Sequence, residues 1–350
     1  MSSCDLQLVF DRADRTYRFG EDVSGTVLLD AHTELECRNV VLTYQWRTHG
    51  RGNTASGKEE SLLLSDQRHF REGTHEEYRF TLTVPPGPMT YHGHSLNVGW
   101  YVKARADIPW GIDAKDEQEF ILLAGDTTKK VVLGDELASE ENLASLPESV
   151  TWIARARDLR KDPFFRISII IAFVTAVAAS IFVDYWSDFW SFFTFPVTLF
   201  AVFFGIKILR DRMVRQKLGD VDVHVEPSSV HPGDHVSCRV QSQSKGNAFL
   251  EKVTATLYAE ERVVSGSSGS KGSARVYTHT VYEHPFVQSF HEQLVEGRRI
   301  DVECSFVIPP EAPSTFTAKD NALSWFVTVQ IGIKNWPDWV QSFPITVFPK

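Results

Sequence analysis

The chain has 350 residues and a formal net charge of −9. That length holds two domains of ordinary size, each with its own core. The acidic balance excludes nucleic acid as the main partner, because phosphate binding needs a basic face. Cys4, Cys37, Cys238 and Cys304 are spread without a CxxC unit, which fits a reducing compartment better than a disulfide framework. The first ten residues, MSSCDLQLVF, have neither a basic stretch nor a long apolar one, so no cleaved signal peptide is expected there.

In chain order, residues 1–124 read as short strands parted by Gly, Pro and Asx turns. Tyr78, Phe80, Leu82 and Val84 alternate with Arg79, Thr81 and Thr83 before Pro85-Pro86, and Trp100, Val102, Ala104 and Ala106 alternate with Tyr101, Lys103, Arg105 and Asp107. Period two with one polar face means antiparallel sheet covered on one side, and frequent turns suggest a sandwich.

Residues 125–165 read as a linker. Ser145-Leu146-Pro147-Glu148 looks like a helix start, followed by Trp152, Ile153, Ala156 and Leu159 on one face with Arg155, Arg157, Arg160 and Lys161 around it. Such a helix fits the lipid headgroup region, where anionic lipid attracts its cations, and the alternative is a solvated linker helix.

Residues 166–210 are expected to form a transmembrane helical hairpin. The chain is uncharged from Ile167 to Val183 and from Phe189 to Ile206, with Asp184-Tyr185-Trp186-Ser187-Asp188 as the turn between. Basic collars flank both runs: Arg155, Arg157, Arg160, Lys161 and Arg166 before, and Lys207, Arg210, Arg212, Arg215 and Lys217 after. Cationic collars stay cytoplasmic, so the expectation is a two-pass integral membrane protein with both termini inside. A buried helical hairpin within a soluble domain is the alternative.

Residues 211–350 return to the strand pattern and repeat the first part. Gly20-Glu21-Asp22-Val23 matches Gly233-Asp234-His235-Val236, and Val40, Leu42 and Tyr44 fall on Val253, Ala255 and Leu257. Tyr78, Phe80, Leu82 and Val84 fall on Val302, Cys304, Phe306 and Ile308, Trp100 meets Trp325, and Trp110 with Asp113 meets Trp336 with Asp338. The offset drifts as loop insertions would make it drift, and Ser265–Ser273 is an obvious insertion.

The string Tyr17-x-x-Gly20-Glu21-x-Val23-x-Gly25-x-Val27, with Val84-Pro85-Pro86 and Trp100-Tyr101-Val102-Lys103-Ala104, resembles the N-terminal domain of arrestin-fold proteins. That group includes alpha-arrestins, an arrestin-shaped retromer subunit and a bacterial sporulation-control protein. The likeness covers about residues 5–123 and 219–349. It implies tandem β-sandwiches that serve as adaptors without catalysis. Two departures stand out: the expected membrane hairpin stands between the sandwiches where most members have a short linker, and the first strand reads Phe10-Asp11-Arg12 where receptor arrestins carry a phosphate-sensing lysine pair.

Little in the chain points to catalytic or metal chemistry. His224, His231, His235 and Cys238 are close in sequence, as are His92 and His94, but no CxxC or helical HxxxH unit anchors a tetrahedral site. Pro232-Gly233-Asp234 between His231 and His235 makes a turn. His279, His284 and His291 are scattered. Gly266-Ser267-Ser268-Gly269-Ser270-Lys271 lacks the order of a phosphate loop and reads as a flexible connection. Ile108-Pro109-Trp110-Gly111 and Trp336-Pro337-Asp338-Trp339 read as core caps of the sandwiches, with a partner-binding rim as the alternative.

The sequence therefore leads to an all-β chain: two arrestin-like β-sandwich domains flanking a two-helix transmembrane hairpin. No catalytic, cofactor-binding or metal residues are expected. The expected role is a membrane-anchored, non-catalytic adaptor for a membrane-associated protein partner, with the bilayer held through residues 167–207 and anionic headgroups as possible further contacts. An extracytoplasmic sensor or adhesion module of reversed topology, and an enzyme with an unrecognised site, are the alternatives.

Overall fold

The computed structural model describes residues 3–84, 87–125, 213–266 and 274–350. The first sandwich pairs β1 (Cys4–Phe10), β3 (Asp22–Ala31) and β8 (His75–Thr83) in a three-stranded sheet of order β1-β3-β8. Facing it is a sheet of order β2-β11-β10-β5-β6, built from β2 (Thr16–Arg18), β11 (Ala114–Leu123), β10 (Leu96–Ala106), β5 (Val40–Gly50) and β6 (Glu60–Ser65). Strand β9 (Tyr91–His92) adds to β10, and β4 (Leu35–Glu36) pairs with β7 (His69–Phe70) as a small ribbon. Phe10, Tyr17, Phe80, Trp100 and Phe120 fill the space between the sheets with Val23, Val27 and Leu42, and edge-to-face contacts such as Tyr17–Phe120 fix their packing.

The second sandwich has the same topology. Strands β12 (Val221–Glu226), β14 (His235–Gln243) and β17 (Arg299–Val307) form the small sheet in the order β12-β14-β17. The large sheet runs β13-β20-β19-β15-β16, from β13 (Ser229–Val230), β20 (Trp339–Val347), β19 (Asn321–Ile333), β15 (Ala248–Ser265) and β16 (Arg275–Leu294), with β18 (Phe316–Ala318) added to β19. Even the parallel pairing recurs: β2 runs parallel to β11, and β13 parallel to β20.

Register carries the repeat down to single residues. Trp100 lies opposite Trp46, and Trp325 lies opposite Ala259. The backbone N–H of Leu122 bonds the Thr90 hydroxyl at 2.9 Å, and that of Val347 bonds the Thr315 hydroxyl at 2.9 Å. Gly20 and Gly233, matched in the sequence, both take a positive φ, 87° and 93°, that a Cβ would disfavour. The insertion falls in the second sandwich, where the β15–β16 hairpin is far longer than β5–β6.

The fold corrects the membrane expectation. The described residues are β throughout apart from the short helix α1 (213–218), and among them no helix is long and apolar enough to cross a membrane. Strand β19 is buried from Asn321 to Val327 and is paired with β15 on one edge and β20 on the other. The transmembrane hairpin of 166–210, and with it the two-pass localisation with cytoplasmic termini and the membrane anchor, is therefore withdrawn. The apolar runs within 167–207 and the basic helix at 145–161 lie outside the described residues.

Candidate functional site

The two sandwiches meet in a built interface centred on Glu261. In β15, Val253, Ala255, Leu257 and Ala259 point inward and are fully buried, and Glu261 continues that series with no exposed surface. Its carboxylate faces the first sandwich. Oε1 accepts the Tyr91 hydroxyl at 2.6 Å and the His94 N–H at 3.0 Å, and Oε2 accepts the Ser95 N–H at 2.7 Å and the Leu96 N–H at 3.3 Å. Four donors replace water around a buried charge, the condition under which such a group is tolerated. Burial, and then the bond to Glu261, push the Tyr91 phenol far upward, so it remains the donor. The backbone comes so close here that a Cβ on Gly93 would strike the Glu261 carboxylate.

Beside this node, Asn53 exchanges hydrogen bonds with Gly266, 3.0 Å out and 2.9 Å back. Asn321 donates to Asn53 O at 2.7 Å and to the Thr48 hydroxyl at 3.2 Å. Leu96 and Val98 pack with Val263, Phe316 and Leu323 in a cluster shared by the domains, and Trp46 meets Phe316 edge-on at 5.7 Å. The His94 and His279 rings stack at 4.2 Å. A cleft of about 900 Å³ opens next to the interface, lined by Arg18, Met89 and Tyr91 on one side and Pro313, Phe316 and Trp325 on the other.

A second feature stands at the end of β10. Gly111 N–H closes a turn onto Ile108 O at 3.2 Å, with Pro109 second and Trp110 third at φ 62°. A proline followed by a positive φ is the pattern of a type II turn, whose third position normally takes Gly or Asn. The matching turn in the other sandwich closes Trp336 N–H onto Ile333 O at 3.1 Å and places Asn335 third at φ 61°. The structure thus aligns Trp110 with Asn335 and Gly111 with Trp336, one residue from the sequence match. Nor do the two tryptophans share a role. Trp336 packs against its core with the Lys217 ammonium 4.8 Å from its ring, whereas Trp110 is 104% exposed, with Ile112 89% exposed beside it. The core-cap reading fails for Trp110.

Asp113 braces this turn. Its carboxylate accepts the Ile108 N–H at 3.1 Å and Arg105 Nε at 2.9 Å, with Lys115 at 3.8 Å. The Ile108 N–H first, and Arg105 and Lys115 after it, hold the acid below its usual range. Around the base, Arg38, Arg105 and Lys115 are about half exposed or more, while Asp107 and Asp113 are mostly covered. The outward charge beside Trp110 is positive.

Apart from the stacked pair His94 and His279, the histidines noted in the sequence do not gather. His224 bonds Asp222 on an outer strand at 3.0 Å, His231 sits in the turn closed by Asp234, and Cys238 points into the core. Among the described residues no three His, Cys, Asp or Glu side chains are placed to hold a metal ion. Residues 267–271 of the glycine-serine stretch lie outside the described residues.

No protein-family model and no curated protein matches this chain. A solved structure that is similar to part of it is Spo0M, a sporulation control protein from Bacillus subtilis, at 21% identity and a TM-score of 0.31. The match covers 36% of this chain and 51% of that one, so it spans about half of the solved structure, and a likeness this slight carries no functional argument.

Proposed function

We propose that the chain is a non-catalytic protein-binding adaptor, a two-domain body that engages its partner through the Trp110 turn. The observation that carries this reading is the cost the turn accepts. A bulky side chain in the left-handed region is disfavoured by roughly 1–2 kcal/mol, and full exposure of an indole and an isoleucine adds apolar surface to water. The other sandwich avoids both by using Asn335. Strain that brings no packing return is found at sites of function, and tryptophan is among the side chains enriched at binding hot spots. The fixed junction at Glu261 supports the reading by giving the turn a rigid base.

A second reading rests on β16. This strand is 20 residues long and pairs only with β15 among the described strands, with Val276 and Val287 half exposed. Such an edge offers backbone groups for strand addition. Pro285 within it lacks a donor and blunts that use.

Photo-crosslinking separates the two. With p-benzoylphenylalanine at position 110 or at position 287 in cells, the proposal expects one discrete polypeptide adduct from position 110, lost on Ile112→Ser. An adduct from position 287 alone supports the strand-edge reading. Adducts at neither position contradict both.

A further inference from the structure

We infer that Cys238 and Cys304 are a redox-modifiable pair, a cross-strand disulfide held in its reduced form inside the second sandwich. They lie directly opposite one another on β14 and β17. The ladder bonds Ile308 N–H to Asp234 O at one end and Ser244 N–H to Arg298 O at the other. Counting by twos between these ends makes Cys238/Cys304 one of its hydrogen-bonded pairs. Such pairs hold their Cα atoms about 5.5 Å apart, within the roughly 4.4–6.8 Å that a disulfide spans. Both side chains point into the core, and the Cys304 thiol already donates to Cys238 O at 3.6 Å.

Packing alone does not require this pair. The first sandwich fills the equivalent positions with Gly25 and Phe80, also directly opposite. There the ring occupies the space left by the missing Cβ, which would come within 2.7 Å of Phe80 Cζ. One fold thus meets the same volume requirement in two ways, and only the second brings two sulfurs together.

Access decides the order of events. Among the described strands β17 is bonded on one side only, to β14, so it opens at lower cost than the central strand. Cys304 on that strand is 5% exposed and Cys238 not at all. The hydrogen bond with Cys304, and burial after it, push the Cys238 thiol up. A hydroperoxide therefore oxidises Cys304 first: one oxygen passes to its sulfur, giving a sulfenic acid and leaving the alcohol. The Cys238 thiol then attacks that sulfur. The S–S bond forms, and the sulfenic hydroxyl departs with the thiol proton as water. Two thiols lose two electrons in all, and the peroxide O–O bond takes them.

The test uses the full chain with Cys4→Ser and Cys37→Ser, so that the pair holds the remaining thiols. Reduced protein is treated with hydrogen peroxide at neutral pH, quenched, and alkylated under denaturing conditions for intact mass. The inference expects a monomer lighter by about 2 Da that takes no label and recovers two labels after dithiothreitol. It also expects a thermal midpoint several degrees above that of peroxide-treated Cys304→Val protein. Two labelled thiols, retained oxygen atoms, or disulfide-linked dimers overturn it. Should the double variant not fold, peptide mapping of the peroxide-treated wild-type chain decides the same question: a Cys238–Cys304 linked peptide supports the inference, and its absence overturns it.

Discussion

Trp100 and Trp325 stand at the same point of the two sandwiches, and each donates its indole N–H to a proline carbonyl twelve positions earlier. Trp100 reaches Pro88 O at 2.8 Å, and Trp325 reaches Pro313 O at 3.0 Å. Both rings are almost fully buried. Each therefore fills its core and ties down the loop that leads into the added strand, β9 or β18.

This equivalence predicts equal effects. Trp100→Phe and Trp325→Phe each leave a proline carbonyl without its donor and shrink a packed ring. Each is expected to cost roughly 2 kcal/mol, and the two costs should add because the sites lie in different cores. Urea unfolding of the single and double variants measures this. A variant that costs nothing would show that its indole is not structural.

At the domain junction, Glu261→Ala would strand four donors at once, whereas Tyr91→Phe removes one of the four. The first change is expected to cost at least about 3 kcal/mol and the second about 1 kcal/mol. Small-angle scattering should also show the domains of the Ala variant loosened relative to wild type. Equal costs for the two variants would mean that the carboxylate does not organise the junction.

Acid should release the Trp110 turn. The folded-state pKa of Asp113 is lowered by the Ile108 N–H and by Arg105. Its contribution to stability is therefore complete above the unfolded value of about 3.9 and is lost as pH falls through the lower folded value. An NMR titration of the Trp110 indole N–H, assigned with Trp110→Phe, should show a transition below about pH 4. Asp113→Asn should remove that transition; if it persists unchanged in that variant, another group braces the turn.

Much of the β-architecture was legible because its causes are local. Alternation at Tyr78–Val84 and Trp100–Ala106 marks strands with one covered face, and Gly20 and Gly233 mark a turn that needs a positive φ. The junction was legible in part. Glu261 continues the inward positions Val253 to Ala259, so the alternation alone places a carboxylate on a covered face, but the partner sandwich that supplies its donors is distant in sequence. The Trp110 turn was misaligned because residue identity matched one tryptophan to the other, while the backbone matches Trp110 to Asn335. The membrane expectation rested on apolar runs within 167–207, which lie outside the described residues, and among the described ones no helix is long and apolar enough to cross a membrane.

On the proposed reading the Trp110 turn gives up stability for recognition, and Trp110→Asn is the sharpest probe of that exchange because the other sandwich already uses Asn335 at that point. The measurement pairs the variant's unfolding free energy with its affinity for the polypeptide captured at position 110. Trp110→Asn should gain about 1 kcal/mol of stability and lose at least about tenfold in affinity, as expected for a hot-spot tryptophan. A variant that is less stable than wild type and binds the partner as tightly would contradict that reading.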